Sequence, residues 1–478
     1  MQATVIFRLV GILIILFAIS LCLTLLISLY YHDGAHYAFV KPIALMLIVG
    51  GVLAYSISAK ERDLKIRDGI IVTISSWLAL TLCGSLPFIF APSPLPMMDA
   101  WFESMSGLTT TGATIMERIE TMPLSILFYR QFLQWIGGMG IILLVIAVLP
   151  ILGVGGMQLY RTEIPGPIKD TKLTPRITET AKLLWSIYIV LTIACIAAYK
   201  LAGMSYFDAI SHSFSTVSIG GFSPHNNNFG HFNNSAIQIV AIVFMLLASM
   251  NFTLHFYSWR FKSLKPYWKD AEWKFFIGCI AAILITTIIF WLPNIQGTDS
   301  LIAALFQAVS IVTTTGYTLE GYNGFQIDLL FLLFAFACVG CCAGSVGGGI
   351  KMVRFLLMIK QGHRECKRTT HQHGVFNVRL GNNLVPDRVL ESVWGFCSIY
   401  MVSFFTIMAL MLLTGADHIT SWSATVASLN NLGPGLGDAS VNYASMSNAQ
   451  KGILSFAMLL GRLEVFTLVV LLLPISWK

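Results

Sequence analysis

The stretch Leu108-Thr109-Thr110-Thr111-Gly112-Ala113-Thr114 decides the fold, because related versions of it return three more times along the chain. The second copy reads Val217-Ser218-Ile219-Gly220-Gly221-Phe222-Ser223, and the third reads Val312-Thr313-Thr314-Thr315-Gly316-Tyr317-Thr318. The fourth, Leu429-Asn430-Asn431-Leu432-Gly433-Pro434-Gly435, has drifted furthest. Glycines 112, 221, 316 and 433 lie about a hundred residues apart, a period that marks internal duplication. Each phrase follows a short segment that opens on an aspartate (Asp99, Asp208, Asp299 and Asp417), and each unit is bounded by apolar runs. Four related loops in one chain supply a fourfold pore without a tetramer. A cation pore of that kind replaces the ion's water with rings of backbone carbonyls. Glycine permits the positive φ that turns successive carbonyls the same way, and threonine hydroxyls add further oxygens.

Hydrophobic residues make up 56% of the 478 and charged residues only 11%, which excludes a soluble globular protein and points to an integral membrane one. Apolar runs near 7–30, 38–58, 70–92, 128–153, 183–203, 235–258, 274–293, 326–358, 391–414 and 450–474 predict about ten spans. The first is too long for a secretory signal and lacks its cleavage site, so it is expected to be retained. The expected fold is all-α: four span–pore-helix–span repeats around one pseudo-fourfold pore, preceded by two helices. Residues 1–65 form the leading pair, and 66–160, 161–265, 266–375 and 376–478 form the repeats. The segments before the glycines are too short to cross a bilayer, and re-entrant structure is tolerated where it lines a water-filled cavity. The four aspartates are expected to cap the short helices, whose negative C-terminal ends would then favour a central cation.

Lysine and arginine gather at 60–67, 161–176, 260–269 and 351–388, all on one side of a ten-span arrangement. That side is expected to be cytoplasmic, with both termini there. The net charge of +7 therefore reports sidedness and contact with anionic lipid, not nucleic-acid binding. All nine cysteines except Cys366 lie in apolar segments and read as small core residues. Cys338-x-x-Cys341-Cys342, and Cys366 with His371 and His373, are weak metal motifs beside that plain reading.

The loop phrases resemble the filter loops of the Trk/Ktr/HKT superfamily of potassium transporters. Residues Tyr129-Arg130-Gln131-Phe132-Leu133-Gln134-Trp135-Ile136-Gly137-Gly138-Met139-Gly140 and Gly461-Arg462-Leu463-Glu464-Val465-Phe466-Thr467 are also similar to that family. The two extra leading spans place the resemblance in its TrkH-type branch, not the shorter Ktr-type one. The resemblance covers essentially the whole chain. It implies a potassium uptake channel or transporter of the bacterial inner membrane, a homodimer with one pore per protomer. It also implies gating by a cytoplasmic nucleotide-binding ring of the TrkA type. No nucleotide-binding glycine loop is present in this chain, so nucleotide control is expected to lie in that partner.

By register, the expected filter is Thr110-Thr111-Gly112, Ile219-Gly220-Gly221, Thr314-Thr315-Gly316 and Asn431-Leu432-Gly433, with potassium as its ion. Sodium-preferring relatives carry serine at the first glycine position, so Gly112 implies potassium. The run 326–360 would be about 50 Å long as one helix, and its Gly347-Gly348-Gly349 triplet costs about 1 kcal/mol per glycine. A break is expected there, and the resemblance implies that this is an intramembrane gate, with Gly344, Ser345, Gly347, Gly348 and Gly349 in it. Arg462 stands midway along the last expected span, where an unpartnered charge costs several kcal/mol. It reads either as a barrier to cations beneath the filter or as half of a structural pair with Glu464 or a carbonyl. Arg130 reads as snorkelling or as lining an outer vestibule, and Glu103 as a hydrogen-bonded group behind the filter. A membrane enzyme would need convergent catalytic groups in the bilayer, and the chain offers only scattered ones. A sodium or mixed-cation carrier on the same fold is the nearer rival.

Overall fold

A computed structural model of the chain describes residues 3–55, 66–140, 177–291, 298–319, 327–371 and 373–465. Its regular structure is helical apart from a short hairpin, in which Arg379–Leu380 pairs antiparallel with Asn383–Leu384. Among the described residues six helices are long and apolar enough to cross a membrane, and a bent helix pair makes a further broken span. Side chains facing outward from the spans include Leu26, Ile48, Val190, Ile193, Ile289, Val402 and Phe405, all exposed. Glu103, Arg130, Gln134, His212 and Gln307 are buried instead. Apolar outside and polar inside is the arrangement a lipid solvent selects, provided each inward polar group finds a partner.

The leading helices Ala3–Tyr31 and His36–Tyr55 pack against each other through facing glycines. A Cβ on Gly11 would stand 2.8 Å from the carbonyl oxygen of Gly50, and one on Gly50 would stand 2.9 Å from that of Gly11. In lipid, where apolar surface gains nothing by leaving solvent, such close backbone approach is what holds helices together.

The same order then recurs four times. A long helix is followed by a short one, a loop and a second helix. The long helices are Ile66–Ile89, Ile177–Leu201, Ala271–Trp291 and Asp387–Leu413. The short ones are Met97–Leu108, Tyr206–Val217, Thr298–Val312 and His418–Leu429. At 12 to 15 residues they reach only about 18–23 Å, less than a hydrocarbon core.

The second helices differ from expectation. The sequence suggests continuous spans at 128–153, 235–258 and 450–474 and a break only in 326–358. The third does break, as Ile327–Val339, but the other three stop early as well, as Leu124–Gly138, Ser235–Ser249 and Asn448–Arg462. Left-handed residues follow three of the stops: Gly140 at φ 69°, Gly340 at 75° and Glu464 at 57°. After Ser249 the chain bends by 96° into the helix Phe252–Phe261. There Asn251 caps the new helix by accepting a hydrogen bond from the Thr253 amide. Hydrophobicity alone hides these breaks because both halves are apolar. The remainder of 128–153, the basic residues of 161–176 and the end of the last expected span lie outside the described residues.

The capping expectation holds at one helix of four. Asp417 is an N-cap and accepts from the Ile419 and Thr420 amides. Asp99, Asp208 and Asp299 sit inside their first turns, behind Pro96 and Ser205 at the first two helices. Their carboxylates bind Lys451 Nζ at 2.6 Å, His225 Nε2 at 2.9 Å and Ser235 Oγ at 2.5 Å. A first-turn carboxylate still meets the positive helix end, and here it also ties one element to another.

The Gly11–Gly50 crossing predicts that Gly11→Val forces the leading helices apart at an overpacking cost of about 1–3 kcal/mol. The expected result is a lower thermal midpoint of the purified protein in detergent, followed by tryptophan fluorescence. An unchanged midpoint would contradict the close crossing.

Candidate selectivity filter and gate

Each short helix ends in the same way. The amides of Thr110, Ile219, Thr314 and Asn431 donate to Gly107, Thr216, Ile311 and Ser428 carbonyls at 3.0–3.3 Å. The next amides, of Thr111, Gly220, Thr315 and Leu432, donate to Ser106, Ser215, Ser310 and Ala427 carbonyls at 2.7–2.9 Å. With the N–H groups drawn back to the helix end, the loop carbonyls are left to other partners. Thr110, Ile219, Thr314 and Asn431 all have positive φ, between 53° and 60°. The glycine two residues later is also left-handed in every copy, at 84°, 78°, 77° and 102°. For a threonine or isoleucine that conformation costs on the order of 1–3 kcal/mol, so the same strain is held at four equivalent places.

The glycines close the loops into a ring. A Cβ on Gly112 would collide with the Gly220 carbonyl, one on Gly221 with that of Thr315, and one on Gly316 with that of Leu432. A Cβ on Gly433 would stand 2.6 Å from the Thr111 carbonyl and close the circuit. Loop one therefore meets loop two, two meets three, three meets four, and four returns to one. All twelve residues of the expected filter lie in these loops.

Side chains inside and outside the phrases brace the ring. Thr109 and Thr111 hydroxyls are 2.8 Å apart, as are those of Thr313 and Thr315. In the fourth loop Asn431 Nδ2 donates to Thr111 Oγ1 at 2.9 Å and to the Met458 carbonyl at 3.0 Å. Gln134 Nε2 donates to the Gly220 carbonyl, Asn228 Nδ2 to that of Gly221 and Tyr443 Oη to that of Gly433. A carbonyl has two lone pairs, so one such bond leaves the second for another partner. Gln134, Asn228 and Tyr443 carry no signal of this role in the sequence.

Arg130 is neither snorkelling nor in a vestibule. It is 1% exposed, with Nε 2.8 Å from Glu103 Oε1. Its Nη atoms reach the Ser223 carbonyl and Thr114 Oγ1, both at 3.0 Å, and the guanidinium lies 4.3 Å over the Phe222 ring. Glu103 also accepts from Thr114 Oγ1 and the Ile115 amide, behind the first loop as expected. The pair fastens the outgoing strand of loop one to that of loop two.

The segment from Gly340 to Lys351 contains no helix and crosses the pore-helix end of the ring. Its Cys341 Sγ donates to the Thr313 carbonyl at 3.2 Å, and the Gly348 amide donates to Thr314 Oγ1 at 3.0 Å. A Cβ on Gly348 would collide with the Asn430 carbonyl. All nine cysteines are free thiols, and Cys341 serves as a donor to the ring. Behind the segment, Glu272 Oε1 accepts from the Ala343 amide at 2.6 Å and the Val353 amide at 3.1 Å. The broken second helix of the second repeat offers the Ser249 carbonyl to the Cys342 amide, and the Phe252 amide to the Gly344 carbonyl. Glu272 reads in the sequence as one acid at the edge of a span, and its clamping role appears only in three dimensions.

Arg462 is the last residue of its helix. Its Nη1 donates to Thr110 Oγ1 at 3.3 Å and to the Val346 carbonyl at 3.1 Å. Its Nη2 donates to the Gly137 and Gly138 carbonyls at 2.5 and 2.8 Å, at the negative C-terminal end of Leu124–Gly138. Glu464 instead takes Arg354, at 2.6 Å. One guanidinium thus joins the first loop, the crossing segment and two helix ends.

Breaking a buried ion pair strands the surviving charge, at a cost of about 3–5 kcal/mol. Arg130→Met and Glu103→Gln are each expected to lower the thermal midpoint strongly. The double variant should lose less than the sum of the two, because neither charge is then left alone. Additive losses would show that the two groups act separately.

Comparison with known proteins gives one consistent result. The family described as TrkH, a cation transport protein, matches residues 35–476. The Trk system potassium uptake protein TrkH of Salmonella typhimurium is 48% identical over 475 residues, covering 98% of both chains. Its namesake in Escherichia coli K12 is 47% identical over the same share. The crystal structure of the potassium transporter TrkH from Vibrio parahaemolyticus superposes with a TM-score of 0.91 at 43% identity, over 100% of each chain.

Proposed function

The chain belongs to the TrkH family of cation transport proteins, and from that premise we propose that it takes up potassium through the ring of four loops. It is a multi-pass membrane protein, and the potassium ion is its transported substrate. The observation that carries this reading is the ring itself, in which four glycines, each left-handed and each against the next loop's carbonyl, enclose one axis. Thr110, Thr111 and Gly112, with Ile219, Gly220 and Gly221, supply carbonyls from one half. Thr314, Thr315 and Gly316, with Asn431, Leu432 and Gly433, supply them from the other. Oxygens held at fixed spacing replace the hydration shell of an entering ion without any side chain having to move. The repeat units 66–160, 161–265, 266–375 and 376–478 are its four quarters, and the recurring helix order supports that division.

The segment holding Gly344, Ser345, Gly347, Gly348 and Gly349 closes the inner side of this filter. Glycine at 348 lets backbone lie against the Asn430 carbonyl where any side chain would be excluded. Arg462 fixes the closed position through Val346, and its charge opposes a cation leaving the filter inward. Opening requires the segment to leave Arg462, Thr314 and Glu272. The helix Met352–Thr370 begins directly after the segment and carries Arg364 and Arg368 toward the basic surface. A partner that moves this helix moves the gate.

Relatives bear the name of a Trk system, which supports a multicomponent assembly. In our reading the chain is a homodimer in the bacterial inner membrane, with both termini cytoplasmic and a TrkA-type nucleotide-binding ring as gating partner. It carries out no chemical reaction.

The test is cation flux into liposomes containing the purified chain. Potassium and rubidium are expected to pass in preference to sodium and lithium. Equal passage of all four would overturn the filter. A charged hydrogen bond is worth about 1.5–3 kcal/mol, so Arg462→Ala or Glu272→Ala should raise basal potassium flux about tenfold or more with selectivity retained. Unchanged flux in both variants would remove the crossing segment from the role of gate.

A further inference from the structure

A cluster on the outgoing side of the second loop has no part in conduction as described above. Glu120, His225 and His231 bring one ligand atom each to within 4.8 Å of one another. His225 Nδ1 stands 3.6 Å from Glu120 Oε1. The His225 and His231 rings lie parallel, with centroids 3.6 Å apart.

The surroundings already fix the ligands. His225 Nε2 sits 2.9 Å from Asp208 Oδ1, so the ring proton belongs on Nε2 and the lone pair on Nδ1 faces Glu120. A carboxylate behind an imidazole is the arrangement that orients a metal-binding histidine and raises its basicity. Asn226 holds the acid: its Nδ2 donates to Glu120 Oε2 at 3.2 Å, and its Oδ1 accepts from the Ile119 amide at 2.7 Å. His225 is half-buried, whereas Glu120 and His231 are exposed. Tetrahedral ligands around zinc lie roughly 3.4 Å apart at bond lengths near 2 Å, so ligand atoms now within 4.8 Å of one another need to draw in only slightly.

We infer that Glu120, His225 and His231 bind a divalent transition-metal ion of the zinc type, with water as the fourth ligand. Two imidazoles and one carboxylate suit zinc and disfavour magnesium, which demands an octahedron of oxygens. The ion would tie the first repeat's turn Ile119–Thr121 to the second repeat's outer segment. That segment is coupled to the ring, because Asn228, between the two histidines, donates to the Gly221 carbonyl at 3.2 Å. The Phe229 amide also donates to the Thr318 carbonyl of the third repeat, at 3.0 Å. An occupied site therefore stiffens the outer rim of the ring without touching the ion path.

The test is calorimetric titration of zinc chloride into the full, tag-free chain in detergent, with the thermal midpoint read alongside. About one zinc per chain is expected at this site, with a rise in midpoint. His231→Ala and Glu120→Gln should each weaken that binding about 10- to 100-fold and abolish the rise. Both residues are exposed, so the metal-free midpoint should match that of the parent. Magnesium should give neither heat nor stabilisation. Zinc binding and stabilisation that persist undiminished in the His231→Ala, Glu120→Gln double variant would overturn the site. So would magnesium equalling zinc.

Discussion

The rest of the structure depends on backbone meeting backbone at four places where no side chain fits. A Cβ at Gly112, Gly221, Gly316 or Gly433 would run into a carbonyl of the next loop. Closing that circuit forces a left-handed residue two positions earlier, and at three of the four positions this is a β-branched side chain. The strain is kept by elements with no part in the ring: the short helices that take up the loop amides, and Gln134, Asn228 and Tyr443, which hold glycine carbonyls. A fourfold arrangement in one chain allows those supports to differ. Thr109–Thr111 and Thr313–Thr315 are the same hydroxyl pair, whereas loop four uses the Asn431 amide. Only the backbone keeps the symmetry.

A second constraint comes from the helix ends. All four second helices stop within apolar runs of the sequence, and every stop leaves carbonyls without a partner inside the helix. Lipid offers no hydrogen bonds, so those carbonyls must be met by protein. Arg462 meets Gly137 and Gly138, and the Cys342 amide meets Ser249. Breaking the helices thus creates the sites on which the crossing segment docks. The ring of loops and the segment that crosses it are consequently one hydrogen-bonded unit, joined through Thr110, Thr313 and Thr314.

Several residues show why pattern alone misassigns a buried charge. Arg130 and Arg462 lie within apolar runs and Glu272 at the edge of one, and bilayer energetics says only that each needs a partner. Arg130 finds Glu103 27 positions away, whereas Arg462 finds carbonyls more than 100 positions away. The aspartates opening the short helices mark the right elements. They miss the exact cap at three because a carboxylate inside the first turn satisfies the same dipole while reaching Lys451, His225 or Ser235.

Sequence by itself determined that this is a membrane protein of four duplicated units, each with a glycine that must take a left-handed backbone. Composition, period and steric permission are local properties, and all are written in the order of residues. It also marked Gly347–Gly349 as a helix break. Tertiary structure decided the rest: the circular order of the loops, the equivalent breaks in the other three second helices, and the partners of Arg462 and Glu272. It alone gathered Glu120, His225 and His231. Those are contacts between segments distant in the chain. Their geometry follows from how helices pack, and no periodicity or propensity within a single segment encodes which distant atom will stand 3 Å away.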